Sequence, residues 1–383
     1  MTEIITYEDP RRGVRGWLAY DGTARPLAAG GCRLLPGLRD TDLAELAARM
    51  TLKQRVLGVN VDGAKCGLDL DPRSPHKAEI LRGFLAFLRG ELVERFSMGS
   101  DMGTGWNELQ RIAGTVGLPS IKYAVRRAQG LTDQAFHERM ERLDDRVGLM
   151  TLSERRAGHA LGHAVLGAAR ATVAAREFTY ALQGFGNLGR AAACTLHEEG
   201  ARLVAVADEH GTIADPAGLD VPRMLAAPAR TPVPELPAPG VRRPAPAVFT
   251  APADVLVLAA AADAMDEKAV AEARFGAVAV GANCGLSDSA ETGLHTRGVF
   301  VVPDFIGGIG GSASMEALFG PRQVPTARGV LDSLAGIMHR LVEDIAGSAR
   351  RLGVTPREAA LRLAAAADTD PAAPPYGTSR YTR

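Results

Sequence analysis

Of the 44 basic side chains only five are lysines, Lys53, Lys65, Lys77, Lys122 and Lys268. Arginine keeps its proton in any protein environment, whereas a buried lysine can lose it. A lysine retained in so arginine-rich a chain therefore marks a place where an amine is needed. Lys53 and Lys65 lie close in sequence, and Lys65 sits between glycines in Asn60-Val61-Asp62-Gly63-Ala64-Lys65-Cys66-Gly67, where little bulk shields it from a ligand. Downstream, Gly99-Ser100-Asp101-Met102-Gly103-Thr104-Gly105 presents an acid in a glycine-rich loop, although a turn aspartate would read the same way. Oxidising an amine to an imine and hydrolysing it needs a cation for the substrate carboxylate, a base for water and a proton shuttle for nitrogen. A lysine of ordinary pKa ~10.4 is only about one part in a thousand neutral near neutral pH. Lowered to ~7–8 by burial and a neighbouring cation, it becomes a useful base. Lys53 would supply that cation.

These groups need elements to hold them. A helix is expected from about Asp42 to Leu57, with Leu43, Leu46, Ala47, Met50 and Leu57 on one face and Asp42 with Glu45 as a capping box. Lys53 falls on that apolar stripe and points towards whatever the face covers, unless it is an ordinary snorkelling lysine. Between about Phe178 and Asp304 the pattern alternates strand and helix. Strands are expected at Phe178–Gln183, Leu203–Ala207, Val255–Leu258, Ala277–Val280 and Val299–Val302, with a helix at Leu188–Glu199. Gly184-Phe185-Gly186-Asn187-Leu188-Gly189 is a G-x-G-x-x-G that follows a strand and opens a helix, the context a pyrophosphate site requires. Asp208 ends the next strand, where an acid can hold the adenosine ribose and repel a 2′-phosphate; it could also be a solvated loop acid, and Glu209 could share the role. NAD is thus expected over NADP.

A net charge of zero offers nothing to attract nucleic acid or an anionic membrane. No apolar run approaches the ~20 residues of a membrane span, and an N-terminus carrying Glu3 and Asp9 does not read as a signal peptide. Cys32, Cys66, Cys194 and Cys284 form no CxxC pair, so a cytoplasmic protein with neither disulfides nor bound metal is expected. His159 and His163 stand four apart on a helix as metal ligands can, but no third ligand is evident and packing explains them as well. The proline-rich stretch from Pro216 to Pro252 reads as a surface excursion in which proline blocks regular ladders.

Thr51-Leu52-Lys53, Asp62-Gly63-Ala64-Lys65, Ser100-Asp101-Met102-Gly103-Thr104, Gln183-Gly184-Phe185-Gly186-Asn187 and Val302-Pro303-Asp304 occur in the order found in the glutamate/leucine/phenylalanine/valine dehydrogenases, and the chain resembles that family from about Gly30 to Gly311. Gly30-Gly31-Cys32-Arg33-Leu34-Leu35-Pro36 is most similar to the phenylalanine and leucine branch. The resemblance implies an α/β protein with an N-terminal substrate and oligomerisation domain (1–155), a Rossmann-type doubly wound NAD-binding domain (156–325) and C-terminal helices returning to the first domain (326–370). Residues 371–383 are expected to be a disordered tail. The resemblance further implies that Lys53 binds the substrate α-carboxylate, Lys65 activates water, Asp101 exchanges protons with the amino group, Asn283 lies near the nicotinamide, and the protein is a homo-oligomer.

In glutamate-specific relatives a lysine precedes the Gly-Gly pair and a serine follows the N-A-G-G segment. The matching positions here are Ala29, before Gly30, and Met315, so a large apolar or aromatic amino acid is the expected substrate. Three departures stand out. Leu161 replaces a threonine in A-T-G, Gly308 replaces the asparagine of N-A-G-G, and Asp62 replaces a glycine near Lys65, where its charge would oppose activation of the amine. A glutamate-type enzyme, and a catalytically altered relative that acts on another amine or only binds NAD, are the competing readings.

Overall fold

The inner strands of the first sheet are buried on both faces, and glycine lets their neighbours approach. In a computed structural model of the chain, residues 2–173, 177–260 and 262–382 are described. Met1, residues 174–176, residue 261 and Arg383, which fall within the expected domains and tail, lie outside the described residues. Two compact units emerge: residues 1–142, 318–325 and 364–383 form one, and residues 143–317 and 326–363 the other.

In the first unit the elements run β1 (Thr2–Asp9), β2 (Val14–Asp21), β3 (Ala28–Leu34), α1 (Asp40–Leu57), β4 (Asp62–Leu68), α2 (Lys77–Phe87), α3 (Arg89–Glu94), β5 (Phe96–Ser100), α4 (Trp106–Thr115), α5 (Ala124–Ala128) and α6 (Asp133–Glu141). The sheet order is β1-β2-β4-β3-β5, with β4, β3 and β5 parallel. One face carries Leu18, Cys32, Cys66, Leu68, Phe96 and Met98 into a core with Ile80, Phe84 and Leu109. The other face meets α1 through Trp17, Ala19, Leu43 and Ala47. Gly63 permits that contact, since a Cβ there would lie 2.1 Å from the Ala47 carbonyl oxygen. The capping differs from expectation: α1 starts two residues earlier, and Asp42 accepts the Arg39 N–H at 3.0 Å instead of capping with Glu45.

The tail is packed, not disordered. Tyr376 and Tyr381 are buried, and the Ser379 and Thr378 hydroxyls donate to the carbonyls of Leu57 and Gly58 at the end of α1. Asn60 donates its N–H to Pro375 and its amide to Pro371. The reason is local: a helix ends in carbonyls that lack partners, and the tail supplies them together with two aromatic anchors.

The second unit contains β6 (Arg146–Val147), β7 (Met150–Thr151), α7 (Leu152–Thr172), β8 (Thr179–Gln183), α8 (Asn187–Glu198), β9 (Arg202–Asp208), β10 (Gly211–Ala214), α9 (Val221–Ala226), β11 (Val241–Arg243), β12 (Val255–Leu258), α10 (Glu267–Glu272), β13 (Ala277–Val280), α11 (Asp288–Thr296), β14 (Phe300–Val302), α12 (Asp304–Gly307), α13 (Gly310–Phe319), α14 (Ala327–Leu352) and α15 (Pro356–Ala365), with the end of α13 counted in the first unit. The order β11-β10-β9-β8-β12-β13-β14 is a doubly wound sheet, parallel from β9 to β14, that switches direction between β8 and β12. The two-domain α/β plan therefore holds.

Three details differ. The proline-rich excursion does join the ladder, because β11 falls between its prolines and pairs antiparallel with β10 at the sheet edge. The second unit starts at Leu143, ahead of the expected boundary, because α7 packs on α8 and α14. And α14 stays in this unit: its stripe of Val330, Leu334, Met338, Leu341 and Val342 is buried, and a Cβ on Gly167 of α7 would lie 2.9 Å from Val342 Cβ. Only residues 364–383 of the C-terminal part belong to the first unit.

Candidate active site

The parallel strands β3, β4 and β5 set the first half of the site. Ala29, Gly31 and Arg33 alternate onto the α1 side of β3, and Gly63, Lys65 and Gly67 do the same on β4. Asp101 follows directly at the end of β5. Lys65 Nζ lies 2.6 Å from Asp101 Oδ2, and Arg33 Nε donates to that same oxygen at 3.0 Å. Burial alone would push the Asp101 carboxyl up, but the two cations win and hold it well below the usual carboxylate range. Its loop is fixed by Thr104, whose hydroxyl accepts the Asp101 N–H at 3.0 Å and donates to the Cys32 carbonyl at 2.8 Å.

The glycines here make space of two kinds. A Cβ on Gly30 would fall 1.6 Å from the Ala64 carbonyl oxygen, so that position is a condition of strand packing. A Cβ on Gly31 would lie 2.9 Å from Asp101 Cβ and 3.4 Å from Lys65 Nζ, so the missing side chain leaves the ion pair open on that side. Lys53 is buried on α1, with only 6 % of its surface exposed. Two residues earlier, the Thr51 hydroxyl accepts the Gly63 N–H at 3.0 Å and so locks α1 to the strand that bears Lys65. Ala29 is also buried, opposite Gly63 in the register.

Asp62, expected to oppose activation of Lys65, has partners of its own. Three residues apart on one strand, the two side chains leave opposite faces, and Asp62 is taken up by Arg55 at 3.0 Å and by the Arg25 N–H at 3.0 Å. The charge beside Lys65 is that of Asp101. Arg33 was missed as a functional residue; its place two residues after Gly31, hence on the same strand face, was the available signal.

In the second unit the glycine turn has the geometry the motif requires. Gly184 has φ +97°, and a Cβ on Gly189 would lie 1.9 Å from the Gly184 carbonyl oxygen. Nothing approaches within 4 Å of a Cβ placed on Gly186, which with Asn187 is exposed at the N-terminus of α8. Phe185 is buried beneath the Arg190 guanidinium, 5.4 Å from its ring centroid, and Arg190 donates to the Leu225 and Ala227 carbonyls. An open first helical turn above a glycine bend fits a dinucleotide pyrophosphate. Asp208 ends β9 as expected, but its carboxylate serves the turn: Oδ1 accepts the His210 and Gly211 N–H groups and Oδ2 the Val233 N–H. Glu209 beside it is exposed. Leu161 and Leu188 both face Gly281, where a Cβ would lie 2.5 Å and 3.1 Å from their methyls. The hydroxyl lost at Leu161 is thus replaced by apolar packing at the end of β13, next to Asn283. Met315 is buried in α13 of this unit. His159 and His163 are packing residues: the first bonds Thr195 and the Leu331 carbonyl, the second His339.

A buried lysine–aspartate pair in one unit, and in the other a glycine turn that opens a helix on a doubly wound sheet, are features of the two-domain α/β class. The family model for Glutamate/Leucine/Phenylalanine/Valine dehydrogenase matches residues 153–368, and the model for Glu/Leu/Phe/Val dehydrogenase, dimerisation domain, matches residues 3–117. An NADP-specific glutamate dehydrogenase A1 of Halobacterium salinarum is 29 % identical over 74 % of this chain, which spans 66 % of that relative. A phenylalanine dehydrogenase of Caldalkalibacillus thermarum is 26 % identical over 87 % of this chain and 84 % of its own length. Among solved structures, a hetero-hexameric glutamate dehydrogenase from Thermus thermophilus in a Leu-bound form superimposes with a TM-score of 0.76, at 27 % identity, over 94 % of this chain and 87 % of that one. The chain belongs to the Glu/Leu/Phe/Val dehydrogenase family, amino-acid dehydrogenases acting on the CH–NH2 group. Among the described residues no helix is long and apolar enough to cross a membrane.

Proposed function

We propose that this protein catalyses the NAD-dependent, reversible oxidative deamination of an apolar or aromatic L-amino acid to its 2-oxo acid and ammonia. The observation that carries the reading is the Lys65–Asp101 pair, laid open by Gly31 and braced by Arg33. Lys53 holds the substrate α-carboxylate. Asp101, kept ionised by its two cations, accepts the proton of the substrate ammonium. A nicotinamide beside Asn283 would supply the hydride acceptor that turns the substrate amine into an iminium ion. Lys65, in its neutral form after giving its own proton to solvent, takes a proton from the water that attacks the iminium carbon, and ammonia leaves as the carbonyl forms. Residues 184–189 hold the pyrophosphate.

The apolar side chain is supported by the residue types Ala29 and Met315, each buried in its own unit, at positions where glutamate-specific relatives carry lysine and serine. A buried glutamate carboxylate with no cation would cost several kcal/mol, whereas an apolar group gains about 25 cal/mol per Å² buried. NAD is supported by Asp208 and exposed Glu209, two acids at the end of β9, where negative charge would repel a 2′-phosphate. The match to a dimerisation-domain model supports a homo-oligomer. The four cysteines, all free thiols although Cys32 and Cys66 lie side by side on β3 and β4, support a cytoplasmic protein. The test is a panel of specificity constants for phenylalanine, leucine, valine and glutamate, each with NAD and with NADP. Phenylalanine or leucine with NAD is expected to lead. Glutamate as the best substrate would overturn the assignment of the pocket, and a preference for NADP that of the cofactor.

A further inference from the structure

The loop after β13 is held more tightly than a loop of its length requires. Cys284 adopts φ +56°, a left-handed conformation that is costly for a residue with a side chain. Its N–H donates to Asp304 Oδ2 at 3.0 Å, and its carbonyl accepts the Asp263 N–H at 2.8 Å. Asp263, in the loop after β12, is left-handed as well, at φ +46°. The next pair along, Ala264 N–H to the Gly285 carbonyl at 2.9 Å, stitches the two loops together. Both leave the carboxyl ends of parallel strands on the far side of the switch point from β9. In a doubly wound sheet with adenosine over β9, the second half of a dinucleotide falls there.

Asp304 is itself held. Its other oxygen, Oδ1, accepts from Arg357 Nη2 at 3.0 Å. Arg357, near the start of α15, also grips Glu291 of α11, with Nε 2.9 Å from both carboxylate oxygens and Nη2 2.7 Å from Oε2. The guanidinium rests 5.5 Å from the Phe305 ring centroid. One planar cation thus bridges two buried carboxylates that would otherwise repel each other, and the geometry suits a fork of fixed donors better than an ammonium. Removing it takes away the cation that fixes Asp304 Oδ1, and the strained turn loses part of its restraint.

We propose that Arg357 is a positioning residue for the nicotinamide half of the cofactor: through Asp304 it fixes the left-handed turn at Cys284 that presents Asn283. This rests on the reading of the crevice as a dinucleotide site. The test compares NADH with ADP-ribose, which lacks the nicotinamide, by calorimetric titration of the full-length protein. In Arg357→Met, NADH affinity falls about tenfold, the effect of one charge-assisted hydrogen bond. ADP-ribose affinity stays within about twofold, and the KM for NAD rises while that for the amino acid does not. Asp304→Asn keeps an oxygen for the Cys284 N–H and falls in between. If Arg357→Met does not fold, Arg357→Lys keeps the charge without the fork and shows the same selective loss at about threefold. Equal losses for the two ligands, or none in either Arg357 variant, overturn the proposal. A wild-type protein that binds neither ligand overturns instead the dinucleotide reading beneath it.

Discussion

Acidification should loosen the second unit well above the pH at which carboxylates titrate, and two buried histidines with a half-buried third set the size of the effect. His159 sits between α7, α8 and α14, with Nδ1 3.0 Å from the Thr195 hydroxyl and Nε2 3.0 Å from the Leu331 carbonyl. His163 Nδ1 is 3.0 Å from His339 Nε2. Burial, and after it the neighbouring Arg155, lower the His159 pKa to about 4, with Glu198 and Arg328 also facing it. His163 is lowered to about 3 by burial and by the two other histidines, with Arg170 and Arg155 adding to the effect. Burial and then Arg170 and Arg340 lower His339 as well. Folded-state pKa values below the ordinary 6.5 mean that the folded chain resists protons the unfolded chain accepts. Stability is therefore full above about pH 6.5 and is lost progressively as pH falls towards 4. Each tenfold difference in proton affinity is worth about 1.4 kcal/mol, so His159 alone costs about 2 kcal/mol by about pH 5. Urea unfolding of the second unit, followed at pH 7.5 and pH 5 for the wild type and His159→Gln, measures it. Glutamine can still bond Thr195 and Leu331 but does not titrate, so its loss on acidification should be smaller by about that amount. Because His159 ties α7 to α8, NADH affinity should fall over the same interval. Identical pH dependence in the two proteins would refute the reasoning.

Other substitutions probe the first unit. Lys65→Arg keeps a cation beside Asp101 but removes the titratable amine. Turnover should drop by at least ~10²-fold while NADH binding, read by fluorescence, persists; near-normal turnover would mean another base. Gly30→Ala should abolish soluble protein, because its methyl would fall 1.6 Å from the Ala64 carbonyl oxygen. Gly31→Ala should fold yet lose roughly 10–100-fold in kcat/KM by crowding Lys65 and Asp101, and comparable expression with full activity would contradict the placement of the site. Tyr376→Ala should destabilise the first unit by about 3 kcal/mol in urea unfolding, whereas a disordered tail would leave it unchanged.

Much of the scaffold was legible because its signals are local. Strand-length apolar runs separated by turn residues located β8, β9, β12, β13 and β14 to within a residue or so, and a glycine turn between strand and helix is a pattern of adjacent residues. The scarcity of lysine pointed to Lys53 and Lys65, and the structure buries both. Less was legible where the partner lies far along the chain. The tail looked disordered because it is polar, and only the open carbonyls at the end of α1 explain why it docks.

What the sequence by itself determined is the set of elements, the glycine positions that strand packing and the dinucleotide turn require, and the family. These depend on periodicity and short-range sterics. Tertiary structure alone decided how the charges are used. Asp62 is paired with Arg55 and with the Arg25 N–H, partners that the sequence did not reveal. Asp101 became a partner of both Lys65 and Arg33 only when β3, β4 and β5 paired in one register. Arg357 found Glu291 and Asp304 across more than fifty residues of chain. An ion pair is set by distance in space, and strand order and helix packing create that distance only after the chain has folded.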